Sequence, residues 1–315
     1  MIKIGNVIIN KPFVLAPMAG VNCTSFRLLC KEAGAGLIYT QMYHADFLCH
    51  KYKIEGKQAI YDYINIQDNE KPVSIQLVGH DGVNMGKAAK IIEPIADIID
   101  INFGCCDTNI IKSGAGAYFA KHIDKIESIV KPVIENTKKP VTAKIRIGYD
   151  PQSINGVKVA VMLGKMGIKA LGVHGRVATQ KYAGKANWQI IKHIKQKLSI
   201  PVIGNGDINN KKAGTDLLSQ TGCDLAMIGR RTMGDPSIFT RCNNRFYNED
   251  KPIPSTFELF EKFLKYYSKF DHDKSFSELR THALWFSKRA KLGSSKRNEL
   301  ARAKDVQTIK KIFFN

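Results

Sequence analysis

The chain has 315 residues, with 48 Lys plus Arg against 28 Asp plus Glu, a net charge of +20 that makes a polyanion the natural partner. No apolar run reaches the ~18 residues of a membrane span, and the start MIKIGNVIIN lacks the layout of a secretion signal, so a soluble, cytoplasmic protein with no membrane partner is expected. The cysteines at 23, 30, 49, 105, 106, 223 and 242 form an odd set without a Cys-x-x-Cys pair, so neither a zinc site nor a redox dithiol is indicated.

In chain order, eight apolar, β-branched segments each run into a glycine or a polar residue: FVLAPMAG (13–20), GLIYTQM (36–42), VSIQLVG (73–79), IIDINFG (98–104), VTAKIRIG (141–148), ALGVHGR (170–176), IPVIGNGD (200–207) and LAMIGRR (225–231). Stretches with helical spacing of apolar residues lie between most of them, the pattern of strand-plus-crossover units. The predicted fold is α/β, a (β/α)8 TIM barrel over residues 1–245, whose chemistry belongs at the C-terminal ends of the strands.

In the fifth segment, Val141, Ala143, Ile145 and Ile147 alternate with Thr142, Lys144 and Arg146, so two cations point into the barrel. Such cations need an anion or an electron-rich ring beside them. A bound cofactor is the simplest partner, and an internal ion pair to an acid such as Asp100 is the alternative. The seventh and eighth segments end in GNGD (204–207) and IGRR (228–231), where bare backbone amides and an arginine suit a phosphate. Gln76, Lys144, His174, Arg176, Asn205 and Asp207 add a ring of donors and acceptors suited to the edge of a flat heterocycle. His174 has no ligand-type neighbour at metal-binding spacing, so no metal is expected. The fourth segment places Asn102 at the barrel end and Cys105 and Cys106 just beyond it. A thiol with an ordinary pKa of about 8.5 is protonated at neutral pH and can act as a general acid.

Beyond the linker-like NEDKPIPS (248–255), residues 246–315 are predicted to form a small all-α helical bundle domain. Capping-box spacings at Ser255/Glu258 and Ser275/Glu278 mark two helices, and a third is expected over roughly 296–314. From Lys251 onward there are 15 basic and 7 acidic residues, net +8, so the excess charge is concentrated in this tail. RNA is the favoured partner of that surface.

Read in order, APMAG (16–20) with SFR (25–27), IQLVG (75–79), INFGC (101–105) with KSGAGA (112–117), AKIRIG (143–148), HGR (174–176) with Q-x-Y-x-G (180–184), IGNGDI (203–208) and MIGR (227–230) resemble the tRNA-dihydrouridine synthase family across nearly the whole chain. The resemblance implies an FMN-carrying barrel, NADPH as a transient reductant, tRNA as the partner, and reduction of uridine to 5,6-dihydrouridine. Carried over by position, Pro17, Met18, Ala19, Gln76, Lys144, His174, Asn205, Gly206, Asp207, Gly229 and Arg230 would hold FMN, the last ones at its phosphate. Cys105 would be the catalytic proton donor. Asn102, Arg146, Arg176, Gln180 and Tyr182 would hold or border the base, which must leave its stack to reach a barrel mouth. A monomer is the expected state.

The chain departs from that family's pattern at three places: Cys106 stands where a proline usually follows the cysteine, the turn VNCTSFR (21–27) lacks a common acidic residue, and Asn187 precedes Trp188 where aspartate is more usual. Two other readings remain: a flavin barrel acting on a free pyrimidine, and a non-catalytic RNA-binding protein.

Overall fold

A computed structural model describes residues 1–272 and 275–315. A hairpin of β1 (Ile2–Ile4) and β2 (Val7–Ile9) comes first, an element not anticipated from the sequence. Eight parallel strands follow: β3 (Phe13–Leu15), β4 (Ile38–His44), β5 (Val73–Val78), β6 (Ile98–Phe103), β7 (Val141–Arg146), β8 (Leu171–His174), β9 (Val202–Asn205) and β10 (Leu225–Ile228). From β4 to β10 each pairs with its neighbours in sequence, and β10 pairs with β3. At the last seam the Leu15 N–H donates to the Leu37 carbonyl at 3.0 Å, and the Gly36 N–H to the Phe13 carbonyl at 2.7 Å. The strand ring is thereby joined all the way round, as the TIM-barrel reading expects.

Helices α1 (Thr24–Glu32), α2 (Ala45–Ile64), α3 (Gly82–Ile92), α4 (Thr108–Lys112), α5 (Ile126–Glu135), α6 (Gly156–Lys165), α7 (Trp188–Lys197), α8 (Lys211–Thr221) and α9 (Ile238–Tyr247) supply the outer layer and its connections. Apolar residues of one strand parity, such as Ile99, Ile101 and Phe103, pack in one core with residues of these helices. Residues of the other parity form a second cluster with the hairpin, in which Ile4 and Ile9 join Val14, Leu37, Tyr39, Ile98, Ile203 and Leu225. The hairpin therefore plugs the N-terminal end of the barrel.

The C-terminal helices are α10 (Thr256–Phe270), α11 (Phe276–Arg289), α12 (Ser294–Arg302) and α13 (Val306–Phe314). The capping box at Ser255 and Glu258 forms as expected, with both reciprocal hydrogen bonds present. Ser275 caps α11 through the Ser277 N–H. The single helix expected over roughly 296–314 is instead two, because Asp305 starts a new one by accepting from the Thr308 N–H at 2.7 Å and the Thr308 hydroxyl at 2.9 Å. Phe260, Phe263, Phe286 and Phe313 form the buried heart of this bundle.

Two buried acids tie α1 in place. Arg27, the last residue of the SFR motif, makes a bidentate pair with Glu70, Nε to Oε2 at 2.6 Å and Nη2 to Oε1 at 3.0 Å, and also donates to the Asn22 and Asn65 carbonyls. At its N-terminus α1 lacks a side-chain cap of its own, because Cys23 occupies that position. Asp271, at the end of α10, supplies it: the carboxylate accepts from the Thr24 and Ser25 N–H groups at 3.3 and 2.8 Å and from the Ser25 hydroxyl. The N-terminus of α1 is thus capped from the C-terminal helices. Breaking a buried ion pair leaves the surviving charge unpaired at a cost of about 3–5 kcal/mol. Glu70→Gln is accordingly expected to lower unfolding free energy by several kcal/mol, and Asp271→Ala by about 1–2 kcal/mol through loss of the cap. Urea-unfolding midpoints measure both.

Candidate active site

The strand register sets the site. Along the ladder Gln76 stands beside Asp100, Asp100 beside Thr142, Asn102 beside Lys144, Arg146 beside His174, His174 beside Asn205, and Asn205 beside Met227. These residues surround the wide end of the barrel, where a cavity of about 550 Å³ opens at the C-terminal ends of the strands. That volume suits a cofactor-sized ligand.

Of the residues expected there, Pro17, Met18, Ala19, Gln76, Asn102, Cys105, Lys144, Arg146, His174, Tyr182, Asn205, Gly206, Asp207, Gly229 and Arg230 line the cavity. Arg176 and Gln180 do not. Arg176 is buried, and its guanidinium is used up on the Ala183 and Gly184 carbonyls and on Asp207, at 3.0, 2.6 and 2.5 Å. It braces the loop after β9 from behind. Gln180 folds onto its own loop, its oxygen accepting from the Val177 N–H and its amide donating to the Ala183 carbonyl. The Asp207 carboxylate is committed to Arg176 and to the Ala186 N–H at 2.6 Å, so this residue shapes the turn. Its neighbour Gly206 has φ +129°, and a Cβ there would lie 2.6 Å from that of Ala186, so only glycine passes. Asn187 caps α7 by accepting from the Ile190 N–H, a role its side-chain oxygen fills as an aspartate's would.

Lys144 has no hydrogen-bond or ion-pair partner among the described residues. The ion pair to Asp100 is not formed, because the Asp100 oxygens accept from Gln76 Nε2 and the Thr142 hydroxyl, both at 2.6 Å. Burial, followed by the nearby Arg146 charge, pulls the Lys144 ammonium down to about 8. Burial pushes Asp100 up to about 6 against the hydrogen bonds it accepts. His174 is held far below the usual imidazole range by burial and by Lys144, Arg146, Arg176 and Arg230, so it is a neutral ring at any physiological pH. The wall between these groups is apolar, with Ala16, Met18, Met42 and Met227. A half-buried cation without a protein partner among the described residues, in a cavity walled partly by methionines and rimmed by Arg230, fits a flat, polarisable, anionic cofactor such as a flavin nucleotide.

Cys105 is presented by a tightly held loop. Its N–H and that of Gly104 donate to Asn102 Oδ1 at 2.8 and 3.0 Å, and its carbonyl accepts from the Ala117 N–H at 2.8 Å. The KSGAGA motif is the support beneath: Gly116 has φ +61°, and a Cβ there would meet the Cys105 carbonyl oxygen at 2.8 Å. Burial raises the Cys105 thiol above its ordinary value, with Cys106 and Asp107 adding to the rise, so it stays protonated at neutral pH. Arg146 holds this loop to its neighbour: Nε donates to the Gly104 carbonyl at 2.9 Å, Nη1 to the Val177 and Lys181 carbonyls, and Nη2 to Cys106 Sγ at 3.2 Å. The residue standing in place of the expected proline is thereby engaged by a cation. Over the rim, the exposed Tyr182 ring lies 4.5 Å from the Arg230 guanidinium and 5.8 Å from that of Arg146.

Sequence reasoning missed Met42, Met227, Thr108, Lys181, Asn209 and Arg231 in the cavity wall. Strand parity could have found Met227, two residues beyond the inward-facing Leu225. Met42 escapes that rule because the β4–β5 register shifts between Tyr39 and Met42, turning it inward out of phase. Among the described residues, one group of ligand-type side chains lies elsewhere: Cys23, Glu278 and His282 meet between α1 and α11, with Cys23 Sγ 3.6 Å from His282 Nε2.

The model of the family described as dihydrouridine synthase matches residues 14–313. The chain is 32% identical over 293 residues to a probable tRNA-dihydrouridine synthase of Rickettsia bellii, covering 91% of this chain and 89% of that protein. It is 32% identical over 292 residues to tRNA-dihydrouridine synthase B of Pseudomonas aeruginosa, covering 91% and 86%. With tRNA-dihydrouridine synthase B of Vibrio vulnificus it shares 38% identity over 248 residues, 78% and 75% of the two chains. Among solved structures, the old yellow enzyme homologue from Zymomonas mobilis superposes with a TM-score of 0.55 at 14% identity, covering 83% of this chain and 94% of that one. A 6-hydroxypseudooxynicotine amine oxidase from Pseudomonas geniculata reaches 0.61 at 13% identity over 78% and 49%, a likeness of fold. With a family model spanning the barrel and the C-terminal helices together, the chain belongs to the dihydrouridine synthase family.

Proposed function

We propose that this protein reduces uridine to 5,6-dihydrouridine in tRNA, with FMN as its flavin and NADPH as the source of electrons. The observation that carries the reading is one cavity at the C-terminal end of the barrel lined by both a half-buried lysine, without a hydrogen-bond or ion-pair partner among the described residues, and a protonated thiol. The names of the relatives, all tRNA-dihydrouridine synthases, support the same substrate.

The flavin, when bound and reduced, supplies a hydride to C6 of the uracil ring. Cys105 gives its proton to C5, so that one hydride and one proton together saturate the double bond and the sulfur is left as a thiolate to be reprotonated. Lys144 would hold the electron-rich edge of the cofactor, and neutral His174 would offer it a ring N–H without adding charge. The turns at Gly206 and Gly229, with Arg230, would hold the phosphate through backbone N–H groups and a cation. Tyr182, exposed at the rim beside Arg146 and Arg230, would border a base turned out of its stack. The basic helices of residues 246–315 act as a tRNA-binding domain whose phosphate contacts offset the cost of extruding that base.

Incubating the protein with FMN, NADPH and unmodified tRNA, then digesting the RNA, is expected to show uridine gaining two hydrogens by mass spectrometry. Unchanged uridine with flavin bound and tRNA folded sinks the reading, and conversion of free uridine or uracil at equal rate replaces it with a small-molecule reductase. Cys105→Ala is expected to lower the rate at least about a hundredfold while the protein stays yellow. Because an anionic or electron-rich ligand favours the protonated lysine, flavin affinity of the apoprotein should weaken as pH rises through about 8. In Lys144→Met it should be weaker throughout and flat between pH 7 and 9, as fluorescence titration would read.

A further inference from the structure

A chain of hydrogen bonds runs from a buried acid to the backbone of Cys105. Asp100 Oδ2 accepts from Gln76 Nε2 at 2.6 Å, Gln76 Oε1 accepts from Asn102 Nδ2 at 2.7 Å, and Asn102 Oδ1 accepts from the Gly104 and Cys105 N–H groups. All three side chains are buried. The two ends differ in kind: a backbone N–H only donates, and an ionised carboxylate only accepts. The two amides between them have two orientations each, and a single combination satisfies every link. If Gln76 turned over, its oxygen would face Asp100 and its amide would face that of Asn102. Leaving such buried groups unpaired is costly in a low-dielectric interior.

We propose that Asp100 is a positioning residue for the Cys105 thiol. By accepting from Gln76 it fixes the sense of both amides and so keeps the Asn102 oxygen facing the loop that carries the sulfur. Thr142, donating to Asp100 Oδ1 at 2.6 Å, holds the carboxylate for this task. The effect on rate rests on Cys105 being the proton donor proposed above; the effect on the loop does not.

The test exploits the polarity. Asn102→Asp keeps an acceptor for the two N–H groups but sets an oxygen against Gln76 Oε1, and Gln76 cannot turn without putting its own oxygen against Asp100. The alkylation rate of Cys105 by iodoacetamide, read on its peptide by mass spectrometry, should change severalfold, and kcat should fall by up to about a hundredfold with flavin retained. In Asn102→Asp/Asp100→Asn the new amide at position 100 can donate to Gln76, which then donates to the carboxylate at 102, so the chain is satisfied in the reverse sense. Alkylation rate and kcat should both recover most of the loss. Additive effects of the two substitutions, or a wild-type alkylation rate in Asn102→Asp, overturn the proposal. If Asn102→Asp does not fold, Asp100→Ala removes the acceptor without overfilling the interior; the same change in alkylation is expected, and an unaltered rate overturns the proposal. A wild type that makes no dihydrouridine would sink the functional reading alone, since the alkylation arm needs no substrate.

Discussion

Joining of the strand ring between β3 and β4 is the constraint on which the site depends. In an eight-stranded parallel ring every second side chain is forced inward, and the register decides which of them share a level. The hairpin plugs one end with Ile4 and Ile9, so the polar inward residues collect at the other. Gln76, Asp100, Asn102, Thr142, Lys144 and His174 are neighbours through that geometry alone, although they span a hundred residues of chain.

Within the polar end the groups divide by whether the protein satisfies them. Asp100, Gln76, Asn102, Arg146 and Arg176 spend their hydrogen-bonding capacity on one another and on loop carbonyls, which makes the wall rigid. Lys144 is left over, a half-buried cation with no hydrogen-bond or ion-pair partner among the described residues, and withdrawing a charge from water is costly unless something pairs with it. Cys105 stands in the same cavity with its proton retained by burial, and the surrounding cations do not suffice to remove it.

The barrel and the C-terminal helices share structure as well as sequence order. Asp271 completes the N-terminus of α1, and Cys23 in the α1 cap position lies against His282 of α11. Removing the C-terminal helices would therefore strip a helix cap from the barrel in addition to removing a basic surface.

Much of this was legible in the residues themselves. The period-two alternation of VTAKIRIG identifies Lys144 as inward, and the glycine turns and the cysteine loop are marked by residue types that only strand ends of this kind require. The SFR and KSGAGA motifs are visible as strings, but their physical meaning is not: that Arg27 is there for Glu70 and Gly116 for the Cys105 carbonyl depends on chain segments brought together by folding. Likewise a sequence shows the donors of Arg146, Arg176 and Asn102 without the protein acceptors and donors that folding brings to them. Local pattern fixed which residues face inward, since parity is a property of neighbouring residues. Whether an inward residue is spent on the protein or left for a ligand was decided by contacts between strands far apart in the chain, and those exist only once the ring has closed.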